Sequence, residues 1–169
     1  MSMPPAKKAS ERDGLIVRRA EPREAKAVAA LILEAFSPFR DDYTPDAFAY
    51  TTPPVEIVRG RFSEGPILSA FKNGEMVGTV SGLPEPDRFY IRSMAVKPNA
   101  QRLGIGQRLL EALEGLAREA GYKKLYLYTT FVLPGARRLY ERNGFYVLRE
   151  TTPEEWCSMG GLEMEKLLD

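Results

Sequence analysis

The chain has 169 residues, 44% of them hydrophobic and 28% charged, a balance that fits one soluble domain with enough chain for a core. A net charge of +1 gives no reason to expect nucleic acid or a membrane as partner, and the longest compact apolar stretch, 28–33, is far short of a membrane span. With no histidine and one cysteine, Cys157, the sequence excludes a Ser-His-Asp or Cys-His enzyme, an imidazole zinc site and an intrachain disulfide.

Residues 1–13 are polar, carry Lys7, Lys8, Glu11, Arg12 and Asp13, and lack the apolar region of a signal peptide, so they read as a loose tail ahead of a single domain over 14–169. Residues 15–19 read as a strand. Pro22 suits the first turn of a helix, and Ala25, Val28, Ala29, Ile32 and Phe36 follow at helical spacing until Pro38. The stretch 39–54, rich in Pro, Asp and aromatics, holds a short helix near 46–50 between loops. Strands 67–71 and 76–80 flank Asn73-Gly74, which supplies the positive φ angles of a type I′ hairpin turn. Residues 82–86 break the chain, and 88–96 form the next strand.

A helix is expected over 104–120, with Leu109, Leu110, Leu113, Leu116 and Ala117 on one face and Gly121 as its terminator. Residues 124–130 are a strand, Pro134 opens a last helix ended by Asn143-Gly144, and 145–149 and 162–167 are closing strands. The order predicts a mixed α/β domain with a mostly antiparallel central sheet of about seven strands flanked by helices, and one or two parallel crossovers.

The informative unit is the strand 90–96 followed by Gln101-Arg-Leu-Gly-Ile-Gly106 running into a helix. Glycines at a helix entry permit close backbone approach, and the first N–H groups of the helix have no internal partner, so a phosphate is the natural guest. The loop is not a P-loop, because Gly106 is followed by Gln107-Arg108. It is not a dinucleotide fingerprint either, because position 109 is leucine.

From Tyr90 to Leu110, with the downstream segment Ala136-Arg-Arg-Leu-Tyr-Glu-Arg-Asn-Gly-Phe145, the sequence closely resembles the GNAT superfamily of acetyl-CoA-dependent N-acetyltransferases. The resemblance implies that acetyl-CoA is the co-substrate, with no metal. Its pyrophosphate would lie on the backbone of Gln101, Arg102, Leu103, Gly104, Ile105 and Gly106, and its pantetheine along Met94, Ala95 and Val96. An N–H at or near Met94 would hold the thioester carbonyl. Strands 90–96 and 124–130 would splay to admit the cofactor, and Tyr140 would protonate the departing thiolate.

The acceptor implied is a small-molecule amine or a peptide or protein amine, attacked directly in a ternary complex in the cytoplasm. Homodimers are common in the family, but no stretch here marks an interface. Where some relatives carry a glutamate base, this chain has Tyr90, leaving Glu85 or Asp87 through water, or a route through Tyr128, as alternatives.

By strand alternation Arg92 shares a face with Tyr90, Met94 and Val96, where it would clamp a substrate carboxylate, the alternatives being a pair with a nearby acid or a strand bulge that reverses the facing. Phe36, Phe39, Tyr43, Phe48 and Tyr50 form a candidate aromatic wall, and Glu154, Glu155 and Trp156 lie in another acceptor-site region. Arg102 and Arg108 are candidates to assist phosphate binding, whereas Cys157 is assigned to packing or surface. The alternative to an enzyme is an acyl-CoA sensor that keeps the fold without turnover.

Overall fold

The computed structural model describes Met3 and residues 10–169. β1 (Ser10–Arg12) pairs antiparallel with β2 (Leu15–Arg19) through Asp13 and Gly14, whose φ angles of 54° and 76° are those of a type I′ turn. Residues 10–12, expected in a loose tail, are therefore an edge strand. The rest of the expected tail, apart from Met3, lies outside the described residues.

A 3-10 turn at Pro22–Glu24 leads into α1 (Ala25–Phe36), a second at Ser37–Asp42 follows, and then come α2 (Pro45–Thr51) and α3 (Val55–Arg61). Thr44 caps α2, its hydroxyl oxygen accepting from the Ala47 N–H at 3.1 Å. β3 (Ile67–Lys72) and β4 (Glu75–Pro84) form the expected hairpin, with φ of 52° at Asn73 and 81° at Gly74. β4 continues through the expected break at 82–86 as far as Pro84, which pairs with Phe89; proline is tolerated there because it sits at the strand's end.

β5 (Phe89–Val96), α4 (Ile105–Glu119), β6 (Lys124–Thr130), α5 (Pro134–Arg142), β7 (Tyr146–Thr151) and β8 (Gly161–Leu167) complete the chain. They assemble into one mixed sheet in the order β1-β2-β3-β4-β5-β6-β8-β7, eight strands rather than about seven, the added one being β1. The pairing is antiparallel except between β5 and β6. No helix among the described residues is long and apolar enough to cross a membrane.

Two cores cover the two faces of the sheet. On one, Leu109, Leu110, Leu113, Leu116 and Ala117 of α4 pack with Val80, Phe89, Leu125, Leu127 and Met164, joined by Tyr140 of α5. On the other lie Val28, Leu31, Ile32 and Phe36 of α1, Ala47 and Phe48 of α2 and Val58 of α3.

A bulge in β5 breaks the alternation of its side chains. Thr79 pairs with Ala95 and Ser81 with Arg92, so Val80 alone stands opposite Ser93 and Met94, and Ser93 has a φ of 57°. Phe89 and Ile91 face the α4 core, whereas beyond the bulge Ala95 faces the α1 core and Met94 and Val96 pack on the α4 side. Arg92 and Tyr90 therefore do not share a face with Met94 and Val96, contrary to simple alternation. β5 and β6 pair only at Phe89↔Leu125 and Tyr90↔Tyr126. Past these pairs the two strands part, as expected for the splayed pair.

Candidate functional site

A cleft of about 880 Å³ occupies the gap between β5 and β6 and reaches both faces of the sheet. Its first end is the entry to α4. Gly104, with φ 74°, is the residue before the helix, and a Cβ there would meet nothing within 4 Å; the glycine serves the backbone angle, not the space. Arg102 is also left-handed, at φ 67°. At Gly106 the reason is close approach, since a Cβ would stand 3.1 Å from Leu139 Cδ2 of α5.

Gln101, Arg102, Gly104, Ile105 and Gly106 line the cleft, and the unpaired first N–H groups of α4 give this end an affinity for anions. Leu103 does not line it. Its side chain, 55% exposed, belongs to a separate hollow beside Lys72 and Asn99, because the left-handed residues on either side turn it away. Arg108 also lies elsewhere, donating from Nη1 to the Leu15 carbonyl at 3.3 Å. Arg138 and Arg142, one helical turn apart on α5, join Arg102 at this end.

The middle of the cleft is formed by Met94, Ala95 and Val96 on one side and Tyr140 on the other. Tyr140 is both core and cleft: it is 6% exposed and packs edge-on to Phe145, with ring centroids 5.8 Å apart. Burial alone pushes its phenol pKa up. Among the described residues its hydroxyl has no hydrogen-bond partner.

The far end is aromatic. Phe36, Phe39, Tyr43, Tyr50, Tyr90, Tyr128 and Trp156 line it. Phe48 lies behind, edge-on to Tyr43 at 6.2 Å, and Arg40 covers its ring at 4.5 Å. Tyr90 stacks on Tyr126 at 4.8 Å, and Tyr128 stands edge-on to both at 5.9 Å. Burial pushes the Tyr90 phenol up to about 12, so it stays protonated at neutral pH.

The candidate bases do not gather here. Glu85 accepts a hydrogen bond from the Tyr126 hydroxyl, Asp87 is exposed, and neither lines the cleft. Glu155 is the one carboxylate among the described lining residues. It is held by Arg149 at 2.8 Å and by the Thr152 N–H at 2.7 Å, while Glu154 lies outside.

Arg92 takes the alternative of an acid pair, donating from Nη2 to Glu64 Oε1 at 2.7 Å, and still reaches the cleft wall. Arg61, from α3, joins it there and gives no sign of itself in the sequence. Arg138 and Arg142 were detectable as a cationic i, i+4 pair on an expected helix.

Residues 27–145 match the family described as Acetyltransferase (GNAT) family. The chain is 31% identical over 135 residues to the uncharacterized N-acetyltransferase YhfO of Bacillus subtilis (strain 168), covering 76% of this chain and 88% of that protein. Its fold is similar to the PaiA N-acetyltransferase of Thermoplasma acidophilum in complex with coenzyme A, with TM-score 0.78 and 16% identity over 91% of this chain and 99% of that one. It is also similar to YncA of Salmonella typhimurium with its cofactor acetyl-CoA, with TM-score 0.74 and 19% identity over 93% and 95% of the two chains.

Proposed function

The chain belongs to the acetyltransferase (GNAT) family, and from that premise we propose that it transfers the acetyl group of acetyl-CoA to an amine held beside it in one ternary complex. One observation carries the reading. A single cleft runs from an anion-seeking helix entry, through a parted pair of strands, to a buried tyrosine and an aromatic chamber.

The residues fit coenzyme A by their chemistry. The left-handed Gly104 and the close-packed Gly106 open the α4 entry to a pyrophosphate, and Arg102, Arg138 and Arg142 add positive charge around it. Backbone groups of β5 from Met94 to Val96, no longer paired with β6, are free to take an extended chain as an added strand. The backbone N–H at or near Met94, beside the bulge, stabilises the charge that develops on the thioester oxygen.

In the transfer itself, the amine loses its extra proton to water, its nitrogen bonds to the acetyl carbon, and the carbon–sulfur bond breaks. Tyr140 donates its phenolic proton to the departing thiolate and regains one from the nitrogen or solvent. Tyr90, where a carboxylate base would otherwise stand, shapes the acceptor chamber with Tyr128 and Phe36. The half-buried free Cys157 supports a reducing, cytoplasmic setting.

The test is thiol release from acetyl-CoA over a panel of amino acids, arylamines, polyamines and short peptides. A signal above the acceptor-free control is expected, and Gly104→Asp should lower it sharply at acetyl-CoA concentrations that do not saturate the variant. Silence from the whole panel with coenzyme A still bound would count against transfer to an amine.

A further inference from the structure

The acceptor end of the cleft holds more positive charge than its surroundings neutralise. Arg61 is 8% exposed, yet among the described residues its side chain donates only to the Ser93 hydroxyl, at 2.8 Å, and to no carboxylate. Beside it, Arg92 has a side chain 17% exposed and makes one contact, to Glu64 Oε1 at 2.7 Å; its Nε is buried without a partner. Burial first, and then the neighbouring Arg92 charge, hold the Arg61 guanidinium below its usual pKa.

Of the two guanidiniums only Arg92 contacts a carboxylate among the described residues, and that carboxylate, Glu64, has a side chain 43% exposed and lies outside the cleft lining. A buried cation with an unused donor is costly unless an anion completes it.

We infer that the acceptor is an amine that also carries a carboxylate, such as an α-amino acid with an apolar or aromatic side chain, and that Arg61 and Arg92 bind that carboxylate. The inference rests on the transfer reading above and narrows its acceptor. The fork of donors on each guanidinium matches the two oxygens of a carboxylate. Tyr50 and Trp156, edge-on at 6.2 Å, together with Tyr90, offer the apolar surface for the rest of the molecule. The bulge at Ser93 turns Arg92 and Met94 to opposite faces, but both line the one cleft, so the carboxylate and the reacting nitrogen belong on one molecule small enough to sit in it.

The same charge excludes other acceptors. With Arg102, Arg138 and Arg142 taken by the pyrophosphate and Arg149 held by Glu155 and Glu163, the acceptor end keeps Arg61 and Arg92 against the single Glu64, a balance that disfavours a polyamine.

The experiment is calorimetric titration of the coenzyme A-loaded protein with N-acetyl-L-phenylalanine and with its uncharged amide. The acid is expected to bind about tenfold or more tightly than the amide, as one charged hydrogen-bonded contact would give. Arg92→Gln should erase that preference, and Glu64→Gln, at a more exposed position, should enlarge it. The second variant keeps the test open should Arg92→Gln fail to fold.

Equal affinity for acid and amide, binding of neither, or full preference retained in Arg92→Gln would each overturn the inference. Failure to bind coenzyme A or to release thiol with any amine strikes instead at the transfer reading. A preference for the amide with normal turnover strikes at the carboxylate alone and points to a peptide acceptor.

Discussion

Gly78 lies directly beneath Ile105: a methyl group on Gly78 would stand 2.8 Å from Ile105 Cγ2 and 3.0 Å from Leu109 Cδ1. Both neighbours are buried in the first turns of α4, so the height of that helix entry above the sheet is set by the lack of a side chain on β4. Gly78→Ala should destabilise the protein by about 1–3 kcal/mol, the usual range for overpacking a closed core. It should also weaken coenzyme A binding, because the helix entry is lifted with Ile105. Thermal unfolding and a coenzyme A titration on the same variant check both; a stable variant with normal affinity would mean that the entry is not fixed from below.

Gly104 separates backbone angle from charge. Its φ of 74° and the open space around a Cβ mean that alanine costs only the left-handed conformation, about 1 kcal/mol. Aspartate tolerates that conformation at least as well, so Gly104→Asp should be no less stable than Gly104→Ala. Its carboxylate faces the expected pyrophosphate, however, and should weaken coenzyme A binding by a further factor of about ten or more. Equal affinities in the two variants would remove the phosphate from this loop.

Tyr140→Phe should fold normally, since the phenol has no hydrogen-bond partner among the described residues to lose, and should bind coenzyme A nearly as the parent does. Its kcat should fall by about 100-fold or more if the proton donor is lost. Full activity in this variant would return Tyr140 to packing alone.

The pH profile follows from the direction of the Tyr140 shift. A general acid works only while protonated, and burial holds this phenol above the usual value of about 10. The rate should therefore rise with pH as the acceptor ammonium loses its proton, and then level without a fall below about pH 10. A decline between about pH 8 and pH 10 in the parent enzyme, on a stable protein, would assign the acid to another group.

Arg18 and Glu24 tie β2 to the start of the first helical turn by two parallel contacts of 2.9 and 2.8 Å. The Arg18 hydrogen bonds hold Glu24 below its usual pKa. The stability this pair supplies is fully present above the unfolded carboxylate value, about 4.3, and is lost as pH falls through the lower folded value. Glu24→Gln should therefore cost up to about 1 kcal/mol at pH 7 and nothing at about pH 2, read from urea unfolding at the two pH values.

How far the site could be read from the chain depended on which devices leave a mark in the residues. Asn73-Gly74 announced the β3–β4 hairpin because only a few residues accept two successive positive φ angles. The same logic applied to Asp13-Gly14, and ending a loose polar tail at Asp13 hid β1. The α4 entry was legible because glycines ahead of an amphipathic helix leave a mark in the residues, whereas Tyr140 was singled out only because residues 136–145 resemble the family. α3 was not: it spans seven residues, Val55–Arg61, with Gly60 inside, too short for a period to register, and Arg61 was lost with it. The facing of Arg92 was open for another reason, alternation and a reversing bulge both being compatible with its strand. Its strand turns over at Ser93, a non-glycine at positive φ, and nothing in the sequence marks that bulge.

Among the described residues, Phe89↔Leu125 and Tyr90↔Tyr126 are the only strand-ladder pairs joining the β1–β5 part of the sheet to the β6–β8–β7 part, helped by side-chain contacts such as Arg88 to Glu163 and Glu165. An opening wide enough for a guest is thus also a fault line, along which local unfolding should begin and amide exchange should be fastest among the strands. A guest laid along it bridges the two parts and, by mass action, raises the free energy of parting them. The molecule is then most fragile when idle and most durable when at work, and its lifetime in a cell becomes tied to the supply of what it consumes.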